Sequence, residues 1–190
     1  MQRRKAFILF TLIVLVAALT RLLPLPENFS PIAAVCLFGA AHFAHRWQAI
    51  AIALAAVIFS DIALNNIIHA EYMDGFTVLY DGWMWQYAMY IITVVFGAWL
   101  FKNNITATRT LVGVLGASLL FFIGSNFGVW MSGTMYPMDL GGLVSCYAAG
   151  IPFLKGTLAG NLFFTVLLFG GYYAVSKSLP QLRPEHITYG

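Results

Sequence analysis

Residues 6–19, 47–60, 82–101 and 156–176 contain no Asp, Glu, Lys or Arg, and a longer uncharged run covers 110–138. Runs this long and this apolar leave too little polar surface to dissolve a 190-residue chain. A soluble domain carries roughly 25% charged residues. Here 9% are charged and 61% hydrophobic. The chain therefore reads as an all-α integral membrane protein with the lipid bilayer as its solvent.

Six spans are expected. The first begins at Ala6 behind Arg3, Arg4 and Lys5 and runs on through Leu23. A basic start, an apolar middle and small residues at Ala17 and Ala18 also describe a secretory signal. The continuation, and the spans that follow, favour a retained helix with Arg21 snorkelling from its outer end to the headgroups. Pro24, Pro26 and Pro31 then break residues 22–32, because proline lacks a backbone donor and disfavours helix before it. Asn28 and Ser30 can cap a second helix starting at Pro31. That helix ends near Ala44 and is short for a hydrocarbon core that needs ~20 residues. It must be tilted or shielded by its neighbours.

The third span covers 47–65. The fourth covers 82–101, with Trp83 and Trp85 at one end and Trp99 at the other, as an interfacial belt requires. The fifth covers 110–130 and the sixth 156–176. Residues 1–176 make one domain, and 177–190 form a polar cytoplasmic tail. Between the fifth and sixth spans, residues 142–149 read as a short extra half-helix that turns at Gly150 and Pro152. The stretch 121–163 then forms a wall or lid over a cavity.

Charge position gives the orientation. Arg3, Arg4, Lys5, Arg46, Lys102, Arg109, Lys177 and Arg183 fall on one side of a six-span chain. Arg21 and Lys155 fall on the other, with Glu27, Glu71, Asp74, Asp81 and Asp139. Both termini are expected in the cytoplasm of a bacterial inner membrane. No basic patch suits nucleic acid.

Asp61 is the one acidic residue inside an expected span. A carboxylate there costs about 2.5–3.5 kcal/mol on insertion scales, so it should face a polar interior. It is either a structural partner of Asn126, Asn161 or a helix terminus, or a ligand contact. Asp61, Asn65 and His69 share one helix face at i, i+4, i+8. A metal at Asp61 and His69 lacks a third ligand. Tyr80, Trp83, Trp130, Tyr136 and Tyr147 gather on the extracytoplasmic side, as interface anchors or as the walls of an aromatic cavity. Cys146 is either a small buried hydrophobe or a soft metal ligand.

The candidate ligand-binding set is Asn28, Asp61, Asn65, Tyr80, Trp83, Asn126, Trp130, Tyr136 and Tyr147. The pocket is expected between the outer ends of the third to sixth helices, under loops 22–32, 66–81 and 132–152. No nucleophile elbow, zinc-protease motif or Walker loop is present, so the chain reads as no enzyme, without cofactor and without its own ATPase.

Several short segments carry a resemblance. Arg21-Leu-Leu-Pro, Asn28-Phe-Ser-Pro-Ile-Ala-Ala and Leu37-Phe-Gly resemble the start of a group of small bacterial membrane proteins. Asn126-Phe-Gly-Val-Trp, Met135-Tyr-Pro, Gly142-Leu-Val-Ser-Cys-Tyr and Ile151-Pro-Phe match their later half. The group is similar to the substrate-binding S-components of energy-coupling-factor (ECF) vitamin transporters, including solitary cobalamin carriers. The resemblance implies a six-helix bundle with an extracytoplasmic pocket, a vitamin-like small-molecule substrate and an ECF energising module as a partner. It also implies that a pocket cysteine can ligate cobalt, a role for which Cys146 is the candidate. The readings from other classes are a membrane enzyme using Asp61 and His69, and a non-binding assembly subunit.

Overall fold

The computed structural model describes residues 2–80 and 82–178, and the elements in them are all helices. Helix α1 is Gln2–Leu19, α2 Ile32–His42, α3 Arg46–Ala63, α4 Trp83–Leu100, α5 Ala107–Met131, α6 Leu140–Thr165 and α7 Gly171–Ser178. A π-helical turn, Leu64–Ile68, prolongs α3, and another, Val166–Gly170, joins α6 to α7. Among the described residues, three stretches are long and apolar enough to cross a membrane: Arg46–Ile68, Ala107–Met131 and Leu140–Lys177. Asp81 and the tail from residue 179 lie outside the described residues.

Helix α1 is part of the packed core, with Phe10 and Val14 fully buried. Phe10 meets Phe38 of α2 edge-on at 6.0 Å and Tyr172 of α7 at 5.3 Å. From α1 to α6 successive helices run antiparallel, and α7 continues α6. Trp85, Met89 and Phe96 of α4 face Gly128, Gly124 and Gly116 of α5. Ser118, Asn126 and Trp130 of α5 meet Asn161, Gly150 and Pro137 in turn. This alternation puts Arg46, Lys102, Arg109 and Lys177 at the end where the chain starts. It puts Arg21, Glu27, Glu71, Asp74 and Asp139 toward the other.

The axis of the bundle is α2. It has 11 residues, and all but Ala40 are buried. Its sequence is apolar on every side, and such a helix belongs in a core. It touches α1, α3, α4, α5 and α6. At 1.5 Å per residue it is about 16 Å long, half of a ~30 Å hydrocarbon layer. Chain without α-helix supplies the other half of the column.

Residues 23–31 carry the three prolines and cannot form a helix. They do not sit above the bundle as a lid. Their backbone lies against α6 at Gly156 and Gly160. A Cβ at Gly160 would come within 2.6 Å of the Ser30 nitrogen, and one at Gly156 would run into the Glu27 carbonyl. Two glycines four apart thus clear a track for backbone to approach. The segment satisfies part of its own polarity: Leu25 N–H donates to the Leu23 carbonyl at 2.8 Å and Phe29 N–H to the Pro26 carbonyl at 3.0 Å. Asn28 takes the left-handed conformation, φ 58°, that Asn tolerates better than most residues.

The expected half-helix at 142–149 is a correction. It is the first part of α6, which runs unbroken through Pro152. Asp139 starts it, its side chain accepting from the Gly142 N–H at 2.7 Å. Gly150 is buried against Asn126 of α5 and serves close helix packing rather than a turn. One interior proline removes one helix bond. The surrounding packing here outweighs that loss. The run Leu140–Lys177 has 38 residues, about 57 Å at helical rise. It crosses the bundle obliquely, from Tyr147 beside Phe122 of α5 to Tyr172 beside Phe10 of α1.

Candidate functional site

A cavity of about 800 Å³ lies against the proline segment. Its other walls are Leu64 and Ile68 after α3, Gln86, Tyr90 and Thr93 of α4, Phe121 of α5, and Phe153, Thr157 and Asn161 of α6. Thr93 and Phe121 sit midway along their helices, so the cavity and the segment beside it reach the middle of the bundle. Helices α4 to α6 wall it, with the π turn after α3 and the first turn of α2, Ile32 and Ala33; α3 itself, expected as a wall, contributes no lining residue among the described residues. Its cover differs. Among the described residues, the expected cover 66–81 contributes Ile68 and His69, and 132–152 contributes no lining residue.

A charged cluster stands at one edge. Arg21 leaves the end of α1 on a 3₁₀ turn, Thr20–Leu22. Its Nη1 donates to Asp61 Oδ1 at 2.6 Å and to Ser60 Oγ at 2.6 Å. Tyr87 Oη donates to Asp61 Oδ2 at 2.6 Å. Ser60 Oγ donates onward to the Val57 carbonyl at 2.9 Å. Asp61 is 2% exposed, so its charge must be paired to be tolerated. The pairing corrects two expectations. Arg21 does not snorkel outward, because a buried carboxylate at its own depth competes with the headgroups. Asn126 and Asn161 do not serve Asp61: the first donates to the Phe122 carbonyl at 2.8 Å, the second to Ser118 Oγ at 2.9 Å.

The face expected of Asp61, Asn65 and His69 is split. The wider π turn after Ala63 changes the angle per residue. Asp61 and Asn65 stay buried, while His69 is exposed at the cavity. Asn65 Nδ2 is buried with no partner among the described residues. Its neighbour Asn66 clasps Thr77 with two bonds, Nδ2 to the Thr77 carbonyl at 2.7 Å and Thr77 N–H to Oδ1 at 2.8 Å, which folds the loop back.

Of the nine expected ligand residues, Asn28 lines the cavity. Trp83 is half-buried and stands edge-on to Tyr87 at 5.6 Å, outside the cavity wall. Tyr80 is half-buried beyond it. Burial, and then the Asp61 charge, push the Tyr80 hydroxyl above its ordinary value, which keeps it protonated. Asn126, Trp130, Tyr136 and Tyr147 are elsewhere. Trp130 Nε1 donates to the Pro137 carbonyl at 2.9 Å, and Tyr147 Oη to the Ile123 carbonyl at 2.8 Å. Tyr136 is half-buried in the connecting loop. Cys146 is buried, with Sγ 3.3 Å from the Asn126 carbonyl, and does not line the cavity. Continuous helix from Leu140 turns Cys146 and Tyr147 toward α5, where they meet the Asn126 and Ile123 carbonyls, while Trp130 ties α5 to the connecting loop. Among the described residues, no three of His, Cys, Asp and Glu come together as a metal site.

Sequence reasoning missed Arg21, Gln86, Tyr90, Thr93 and Phe121 as wall residues. Gln86, Tyr90 and Thr93 follow i, i+4, i+7 on α4, the spacing of one helix face. Tyr90 stacks on Phe121 with ring centroids 5.6 Å apart and planes 6° apart. Thr157 and Asn161 share a face at i, i+4. The lining is thus mixed: aliphatic and aromatic side chains, neutral polar groups, the Arg21 guanidinium, the Glu27 carboxylate and the His69 imidazole.

Comparison with curated proteins finds no match, and neither does comparison with solved structures. The chain matches the family of unknown function DUF6580 over residues 1–182, and it belongs to that family.

Proposed function

We propose that this protein binds a vitamin-like small molecule in the cavity and takes part in its uptake across the bacterial cytoplasmic membrane, as S-components do. One observation carries the reading. A non-helical segment reaches the middle of an apolar bundle and walls a cavity of about 800 Å³. At membrane depth such backbone persists only when buried in protein or lining a wet space. The volume is that of a small-molecule site, with apolar walls and a few placed polar groups.

In this reading α1 to α6 make six crossings. The basic end is cytoplasmic, both termini included, and the cavity opens extracytoplasmically. The protein performs no chemistry on its ligand. It has no phosphate-binding loop to use ATP, so a gradient or an ECF energising module supplies the energy.

Native mass spectrometry after mild detergent extraction tests the binding. The expected result is a retained small molecule that is lost from a cavity-filling Thr157→Trp variant and kept by Trp130→Ala. A preparation that retains nothing, or variants with equal effects, would count against the cavity as the binding site. Orientation is tested with a single cysteine at Asp139, since both native cysteines are buried. An impermeant maleimide should label it in intact cells. Labelling only after permeabilisation overturns the orientation.

A further inference from the structure

We propose that the cavity takes a solute bearing a carboxylate, held by the edge of the Arg21 guanidinium that Asp61 leaves unused. This rests on the binding role proposed above and adds the ligand's class.

Arg carries five N–H donors in a rigid planar fork. In Arg21 a single nitrogen, Nη1, serves both Asp61 and Ser60. Among the described residues none accepts from Nε or Nη2. Arg21 lines the cavity and Asp61 does not, so the charge presented to a ligand is the cation. Both Asp61 oxygens are already taken, by Arg21 and Tyr87. The carboxylate therefore acts as an orienting group that fixes the guanidinium plane.

The free edge fits a second carboxylate, whose two oxygens match two parallel N–H bonds. The first turn of α2, Ile32 and Ala33, borders the same space, and the positive end of its dipole has the same sign preference. The stacked Tyr90 and Phe121 offer an aromatic face to the rest of the ligand. Among the described residues the other ionisable side chains at the cavity are the uncharged Tyr90 phenol and Glu27 and His69, and the last two are exposed, where solvent screens them. A phosphate would bring up to two charges to a guanidinium already half-neutralised by Asp61. The single charge of a carboxylate suits the site better.

The test uses the purified full chain in detergent and three probes of one shape: indole-3-acetate, indole-3-acetamide and tryptamine. Affinities come from ligand-observed NMR titration. Indole-3-acetate should bind roughly tenfold or more tighter than the amide, the size of a charge-assisted pair. Arg21→Gln alone strands Asp61 and can unfold the protein. The double variant Arg21→Gln/Asp61→Asn removes both charges together, and its fold is checked by helical circular dichroism. In it the acid should lose its preference while amide binding stays level. Arg21→Lys should keep part of the preference, because charge remains and the fork does not. Binding of the amide or amine as tight as the acid overturns the proposal, as does a preference that survives the double variant. Either result leaves small-molecule binding in place. Failure of all three probes overturns the proposal, and the native mass spectrum separately judges the binding role.

Discussion

The Arg21–Asp61–Tyr87 cluster and the α5–α6 seam both place polar side chains inside apolar sequence, by opposite means. The cluster joins side chains from the 3₁₀ turn after α1, from α3 and from α4 to one another, through formal charge. The seam lets Asn126, Trp130 and Tyr147 donate singly to backbone carbonyls. The Phe122 and Ile123 carbonyls lie inside a helix and have helical partners already. Removing a seam residue leaves a satisfied group behind. Removing a cluster residue leaves a buried charge or a free lone pair. Similar residue types thus carry unequal weight, and the difference can be measured.

The largest effect is expected at Asp61. Asp61→Leu strands the Arg21 charge and should cost about 3–5 kcal/mol, seen as a large fall in thermal midpoint in detergent. Asp61→Asn keeps hydrogen bonding and should be milder. An Asp61→Leu protein as stable as wild type would refute the ion pair. Tyr87→Phe should come next, at about 1–2 kcal/mol, since it removes one hydroxyl from a buried carboxylate.

Glycine substitutions sharpen the comparison. Gly160→Ala presses a methyl against the Ser30 backbone, which cannot turn aside, and should cost about 1–3 kcal/mol. Gly150→Ala presses on the tip of Asn126, which can rotate, and should cost less. The reverse order would place the proline segment elsewhere. The smallest effect is expected for Tyr147→Phe, under about 1 kcal/mol in the same melt.

Much of the architecture was legible before any coordinates. Charge-free runs located α1, α3, α4 and α5, and Arg46, Lys102, Arg109 and Lys177 fall at helix ends as expected, whereas Lys155, expected between the fifth and sixth spans, lies inside α6. The shortness of the second span anticipated a shielded α2. Two kinds of feature were not legible. Gly150 and Pro152 read as a break because local punctuation carries no record of tertiary contact, and Asn126 across the seam needs that glycine inside a helix. Arg21 read as a headgroup anchor because its partner lies forty positions away. The site suffered most from this. Its aromatic candidates were chosen by depth alone, and depth does not say which way a side chain points once a π turn or an unbroken helix sets its angle.

The glycine track on α6 has a consequence for the order of assembly. Under the proposed membrane arrangement, residues 23–31 carry peptide groups that hydrocarbon cannot solvate, and their docking surface at Gly156 and Gly160 is synthesised after five other helices. Helix α2, too short to cross alone, cannot settle until then. The N-terminal third must wait near the interface, or under a chaperone's cover, while the rest emerges. Contacts between such distant parts of a chain form slowly. Truncation before α6 should therefore destabilise the beginning of the protein as well as its end.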